Sequence, residues 1–80
     1  MRNVCVVCGG DLEHRATRVI EEVGDDIIVV EGVPADVCVR CGEKEFAPET
    51  IRQLERIRGQ RGKITARRTV AVTEYSKLAA

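Results

Sequence analysis

Residues 17–23, TRVIEEV, are rich in β-branched types, Gly24-Asp25-Asp26 gives a turn signal, and IIVVEGV over 27–33 resumes the β pattern. That succession predicts a β-hairpin. Its second arm hardly alternates through Ile27, Ile28, Val29 and Val30, so both faces are expected to be covered, one by the core and one by a partner. Farther on, Pro48 suits the first turn of a helix, and ETIRQLERIR sets Ile51, Leu54 and Ile57 on one face, with Gly59 as the stop. Glu49 near the start and Arg56 and Arg58 near the end follow the order that the helix dipole favours. The apolar stripe is narrow and Arg52 repels Arg56 one turn later, so this helix depends on the surface it packs against.

From Gln60 the character changes: RGKITARR is basic, TVAVTEY over 69–75 alternates like a strand, and SKLAA has the composition of a short helical turn. A tail of this kind has no core of its own. It reads as a frayed terminus or as a segment that folds on a partner, by adding a strand or laying down a basic arm. Residues 1–58 are accordingly taken as the folded unit and 59–80 as a basic, partner-binding tail.

Composition sharpens the problem of stability. Eighty residues with one Phe, one Tyr and no Trp bury little apolar surface, so metal, disulfide or a partner must supply what the core lacks. No run of about 18 apolar residues is present to span a bilayer, and MRNVCVVCGG lacks the apolar run of a secretion signal, so a cytoplasmic location is expected. In that reducing compartment paired CxxC motifs point to metal rather than disulfides. Charge is split: residues 1–50 carry five Lys/Arg against eleven Asp/Glu, and residues 51–80 carry eight against two. Either the two halves serve different partners or they attract each other.

The cysteines carry the chemistry. CVVC and CVRC are separated by 29 residues and each is followed by glycine. Cysteines two residues apart bite one tetrahedral ion, and two such pairs make a closed four-thiolate site with no position open to substrate. Cys5, Cys8, Cys38 and Cys41 are therefore expected to hold one structural Zn2+. The hairpin makes this possible, since two arms of about seven residues, each rising roughly 23 Å, go out and come back to bring Cys38 near Cys8. Rubredoxin's iron site shares the CxxCG layout, but rubredoxins have an aromatic-rich core and a proline in the second knuckle, where this chain has CVRCG; zinc is preferred over iron. His14 is the only histidine and lies in the polar stretch DLEHRATR, with no triad around it, so it is expected on the surface and the protein is not expected to be an enzyme. Glu21/Glu22 and Asp25/Asp26 are expected to face water at the hairpin edge and turn.

Taken together, CVVCGG, TRVIEEVG, IIVVEGVPADVCVRCGEKEF and APETIRQLERI resemble the YgiT-type zinc finger, the N-terminal module of MqsA-type antitoxins. The resemblance covers residues 3–58, with EGVPADVCVRCGE followed by a helix as its most specific part. It implies that the four cysteines are structural zinc ligands and that the module binds and neutralises a small ribonuclease-like toxin. The helix-turn-helix domain of MqsA-type proteins has no counterpart in the 22 residues after Arg58, so direct operator binding is not expected. An acidic N-terminal half would attract a basic ribonuclease. Ile27 and Val29 on the hairpin, with Arg61, Arg67, Arg68, Val70, Val72 and Tyr75 on the tail, are the candidate partner contacts. The competing reading is a nucleic-acid binder in which Arg56, Arg58, Arg61, Lys63, Arg67 and Arg68 contact phosphates, although no aromatic residue is interleaved among them to stack bases. The expected fold is a small α+β zinc-binding domain: two zinc knuckles flanking a β-hairpin, then one helix and an extended C-terminal tail.

Overall fold

The structure is a computed structural model that describes residues 4–77. It is a small α+β protein with a three-stranded antiparallel sheet and one helix. Strand β1 (Leu12–Val23) and strand β2 (Asp26–Cys38) form the hairpin around a two-residue loop, Gly24-Asp25. Both arms are longer than the β-branched runs indicate, because pairing continues past the polar stretch of β1 down to Leu12 opposite Cys38. A short third strand, β3 (Lys44–Glu45), was not expected; it pairs with Asp36 and Val37, giving the order β1-β2-β3.

A bulge decides which residues of the apolar run in β2 face inward. The register passes from Thr17 opposite Val33 to Val19 opposite Val30, so Glu31 and Gly32 together face Arg18. One extra residue reverses the parity of the strand. Val33, Ala35 and Val37 on one side of the bulge and Ile28 and Val30 on the other therefore share the inner face, where all but the half-buried Val30 are buried. Ile27 and Val29 fall on the opposite face with Ile20. That face is not covered by this chain: Ile27 is 50% exposed and Ile20 64% exposed.

Helix α1 (Pro48–Gly59) starts at the predicted proline and ends with the Gln60 N–H bonded to the carbonyls of Arg56 and Ile57, at 3.0 and 3.1 Å. Ala47 offers the N-terminus no side-chain cap. Of the predicted stripe only Leu54 is buried; Ile57 is half-buried and Ile51 exposed. Leu54 and Ile57 line a cleft of about 320 Å³ with Val30, Val33 and Pro34 of β2. The buried apolar set among the described residues is small: Cys5, Ile28, Val33, Ala35, Val37, Cys38 and Leu54. Two of its seven members are cysteines, so the core and the cysteine cluster are continuous.

After a 3₁₀ turn at Arg61–Lys63 the chain runs extended to a second turn at Tyr75–Lys77. The alternating segment 69–75 forms no strand, since alternation needs an edge to pair with. Of the expected turn in SKLAA, Ser76 and Lys77 lie in the observed one and 78–80 fall outside the described residues. The Cα radius of gyration is 15.8 Å, against about 11.6 Å for a compact chain of this length, as expected of a long hairpin joined to an extended tail. No described helix is long and apolar enough to cross a membrane.

The charge split is met inside the chain. Arg58 clasps Glu21 with two hydrogen bonds of 3.0 and 3.2 Å, Arg61 reaches Asp26 at 2.8 Å, and Arg68 reaches Glu31 at 2.7 Å. Glu21 thus does not face water as expected: its side chain is only 17% exposed, and its carboxylate raises the Arg58 guanidinium above its ordinary pKa. Asp26 is exposed but paired. His14 is on the surface as expected, with Nδ1 2.9 Å from the Asp36 carboxylate across the strand pair.

Because Leu54 is the helix's only buried side chain, Leu54→Ala should destabilise the metal-loaded protein by about 2–3 kcal/mol, near the low end for such truncations. Urea unfolding followed by far-UV circular dichroism checks this; a midpoint unchanged from the parent would mean that α1 is not held by that contact.

Candidate metal centre

The four cysteines converge at the open end of the hairpin. Cys38 ends β2, Cys41 follows in the turn that leads to β3, and Cys5 and Cys8 lie in the turn that leads into β1. A bridge between Val4 and Asp11 closes the first turn, and the Val39 N–H donates to the Asp11 carbonyl at 3.0 Å, tying it to the second.

The two CxxCG turns repeat one backbone pattern. Gly9 donates to the Cys5 carbonyl and Gly42 to the Cys38 carbonyl, at 2.9 and 3.0 Å. Cys5 donates to the Gly10 carbonyl and Cys38 to the Glu43 carbonyl, at 2.8 and 2.9 Å. Gly9 and Gly42 take φ of +76° and +81°, a region that residues with a Cβ avoid, so the glycine after each pair is a backbone requirement. The turn aims amide hydrogens at sulfur: Val7 N–H lies 3.3 Å from Cys5 Sγ, Gly10 N–H 3.4 Å from Cys8 Sγ, and the Arg40 and Cys41 N–H groups each 3.4 Å from Cys38 Sγ. Such donors favour thiolates over thiols.

All four cysteines are free, and their sulfurs lie within 4.8 Å of one another. Cys8 to Cys38 is 3.4 Å and Cys5 to Cys41 is 3.7 Å. A disulfide needs about 2.05 Å, whereas four sulfurs at about 2.3 Å from one tetrahedral ion stand about 3.8 Å apart. The cluster therefore fits a metal ion. Within it the thiols are unequal. Cys38 is pulled down to about 6, chiefly by the Cys41 backbone N–H and against the effect of burial, with the Arg40 N–H and the thiols of Cys8 and Cys41 adding to the pull. At Cys41 the Glu43 backbone N–H also pulls down, but burial of the sulfur and the thiols of Cys8, Cys38 and Cys5 outweigh it and push it up to about 12.

Gly10 has a second role that the turn argument missed. A Cβ there would stand 2.9 Å from Cys38 Sγ, 2.9 Å from Arg40 Cβ and 3.3 Å from Cys8 Sγ, so the absence of a side chain lets the two pairs close on each other. The doubled glycine of CVVCGG is its signal in the sequence; the second turn has Glu43 at the matching place. Glu45, brought in by β3, accepts from the Val6 N–H at 3.4 Å and links the third strand to the first turn.

The remaining candidate residues gather elsewhere. Ile27, Val29, Arg61, Arg67, Arg68 and Val70 line one cleft of about 580 Å³ between β2 and the tail. Arg61 and Arg68 are engaged by Asp26 and Glu31 within the chain. Val72 and Tyr75 do not line that cleft and stand 84% and 99% exposed.

No family model, curated protein or solved structure matches the chain. Its function has to be argued from these residues.

Stripping the ion with a strong chelator should unfold residues 4–45, seen as loss of the far-UV strand signal; an unchanged spectrum after confirmed metal loss would contradict that. Gly10→Ala should weaken metal retention about tenfold or more in a chelator competition, the scale of a perturbed shell around ligands. Retention equal to the parent would show that the turns do not need their close approach.

Proposed function

We propose that this chain is a zinc-stapled binding protein of the YgiT type, an antitoxin that neutralises a small, basic, ribonuclease-like toxin by forming a stoichiometric complex. The observation that carries this reading is the division of labour in the molecule. The four sulfurs form a closed set suited to one structural ion, while six of the eight candidate partner contacts line a single cleft away from it. A closed thiolate site supplies folding free energy rather than a seat for substrate. Zinc suits such a site because it needs no redox partner and accepts four sulfurs without geometric preference; iron is the competing occupant and would colour the protein.

The internal ion pairs refine the electrostatic part. Glu21, Asp26 and Glu31 are matched by arginines of the tail and helix, which leaves Glu22 and Asp25 as the exposed acidic groups of the hairpin strands and their turn without a basic partner among the described residues. The same pairs bear on the nucleic-acid alternative. They occupy Arg58, Arg61 and Arg68, leaving Arg56, Lys63 and Arg67 without a carboxylate partner among the described residues. Three scattered cations make a weak phosphate footprint.

Affinity purification of the tagged chain from its native cells should recover one small basic protein in fixed ratio, which arrests growth alone and is silenced by this chain. Recovery of nucleic acid, released steeply by salt, would favour the phosphate-binding alternative. With the partner in hand, Glu22→Lys with Asp25→Lys should slow association severalfold while leaving metal content unchanged. An unchanged rate would remove electrostatic steering from the account.

A further inference from the structure

The strand edge of β2 and the alternating segment of the tail are two halves of a pairing that this chain does not make with itself. Strand β3 covers β2 only at Asp36 and Val37, so among the described residues the outer edge from Asp26 to Ala35 has no hydrogen-bonded neighbour. Over residues 26–32 this edge reads DIIVVEG, with no lysine or proline, the residues that usually keep an edge from pairing, and Pro34 bounds the stretch. Meanwhile residues 65–73 make no backbone hydrogen bond to another element, although TVAVTEY has the strand pattern, and Val72 and Tyr75 are almost fully exposed. The two stretches match in length, seven residues of edge from 26 to 32 and seven of tail from 69 to 75, each spanning about 23 Å as strand.

The segment is prevented from closing on its own edge by the direction of the chain. Arg61 is fixed beside Asp26 and Arg68 beside Glu31, so the tail travels along β2 in the same sense as the strand, standing off from it by the cleft of about 580 Å³. By residue 69 it has already passed most of the edge. To return, it would have to reverse, and the stretch from Ile64 to Tyr75 contains no glycine or proline to make the turn. A second molecule has no such constraint. Charge also favours a second copy: Arg67 precedes the segment and Asp25 stands at the end of the edge it would join, and neither has an oppositely charged partner among the described residues.

We infer that two copies of this chain exchange their tails, Thr69–Tyr75 of each adding as a fourth strand to the free β2 edge of the other. The exchange is reciprocal, so it closes on a twofold axis with each tail and each β2 edge paired. Each added strand supplies main-chain hydrogen bonds and seats Val70 and Val72 against apolar side chains of the edge strand. The inference does not depend on the antitoxin reading, and it is tested without any toxin.

Sedimentation equilibrium of the metal-loaded full chain should give twice the 8.8 kDa of the monomer. Val72→Pro together with Thr73→Pro removes two successive N–H groups from the middle of the exchanged strand, one of which must face the edge, in a segment that is exposed in the monomer, so folding and metal content should be retained while the mass falls to that of one chain. A parent chain that stays monomeric from micromolar to millimolar concentration would overturn the inference. So would a dimer that survives the paired prolines at 72 and 73, since its interface would then lie elsewhere.

Discussion

Everything else in this molecule depends on four sulfurs being brought to one point by a hairpin whose register is fixed. Leu12 opposite Cys38 is the last pair of that ladder, and it sets the second CxxC turn against the first. An ion held by them would in turn fasten the open end of the hairpin, the end that no loop closes. Each requirement satisfies the other. With no described side chain less than 2% exposed, the apolar core is too thin to hold the register alone. An apparent metal-binding free energy of about 10–16 kcal/mol is as large as the whole stability of an ordinary domain.

A second layer of order comes from charge. The acidic hairpin and the basic helix end and tail are complementary within one chain: Arg58, Arg61 and Arg68 meet Glu21, Asp26 and Glu31. Arg61 and Arg68 form exposed pairs that add little stability, but they give the tail a direction along β2. The half-buried Glu21 is different in kind, because a carboxylate sheltered on the inner face beside Ile28 needs the two-pronged guanidinium of Arg58. Helix α1 is thereby anchored twice, by Leu54 in its second turn and by Arg58 in its last.

Much of this was legible in the sequence, for identifiable reasons. Cysteine spacing has few physical solutions, and the hairpin, Pro48 and Gly59 are local signals; the turn and the helix stand where those signals put them, and the hairpin arms run on past theirs. What the sequence hid was relational. Which residues of IIVV face the core was hidden because a bulge at Glu31-Gly32 cannot be seen without the partner strand, and it is the bulge that assigns Ile28 inward and Ile27 outward. Strand β3 is two residues long and has no periodicity to detect. Glu21 was placed in water because its arginine lies 37 residues away. The segment 69–75 has the strand pattern without a strand, since pattern reports a capacity to pair and not the presence of an edge.

The central claim is that all four cysteines ligate one zinc ion. X-ray absorption at the zinc edge, on protein whose metal content has been measured, tests it most directly. The account predicts one zinc per chain with four sulfur neighbours at about 2.3 Å and no lighter atom in the first shell. Fewer than four sulfurs, or a nitrogen or oxygen neighbour at about 2.0–2.2 Å, would contradict it and reopen a coordination position to chemistry.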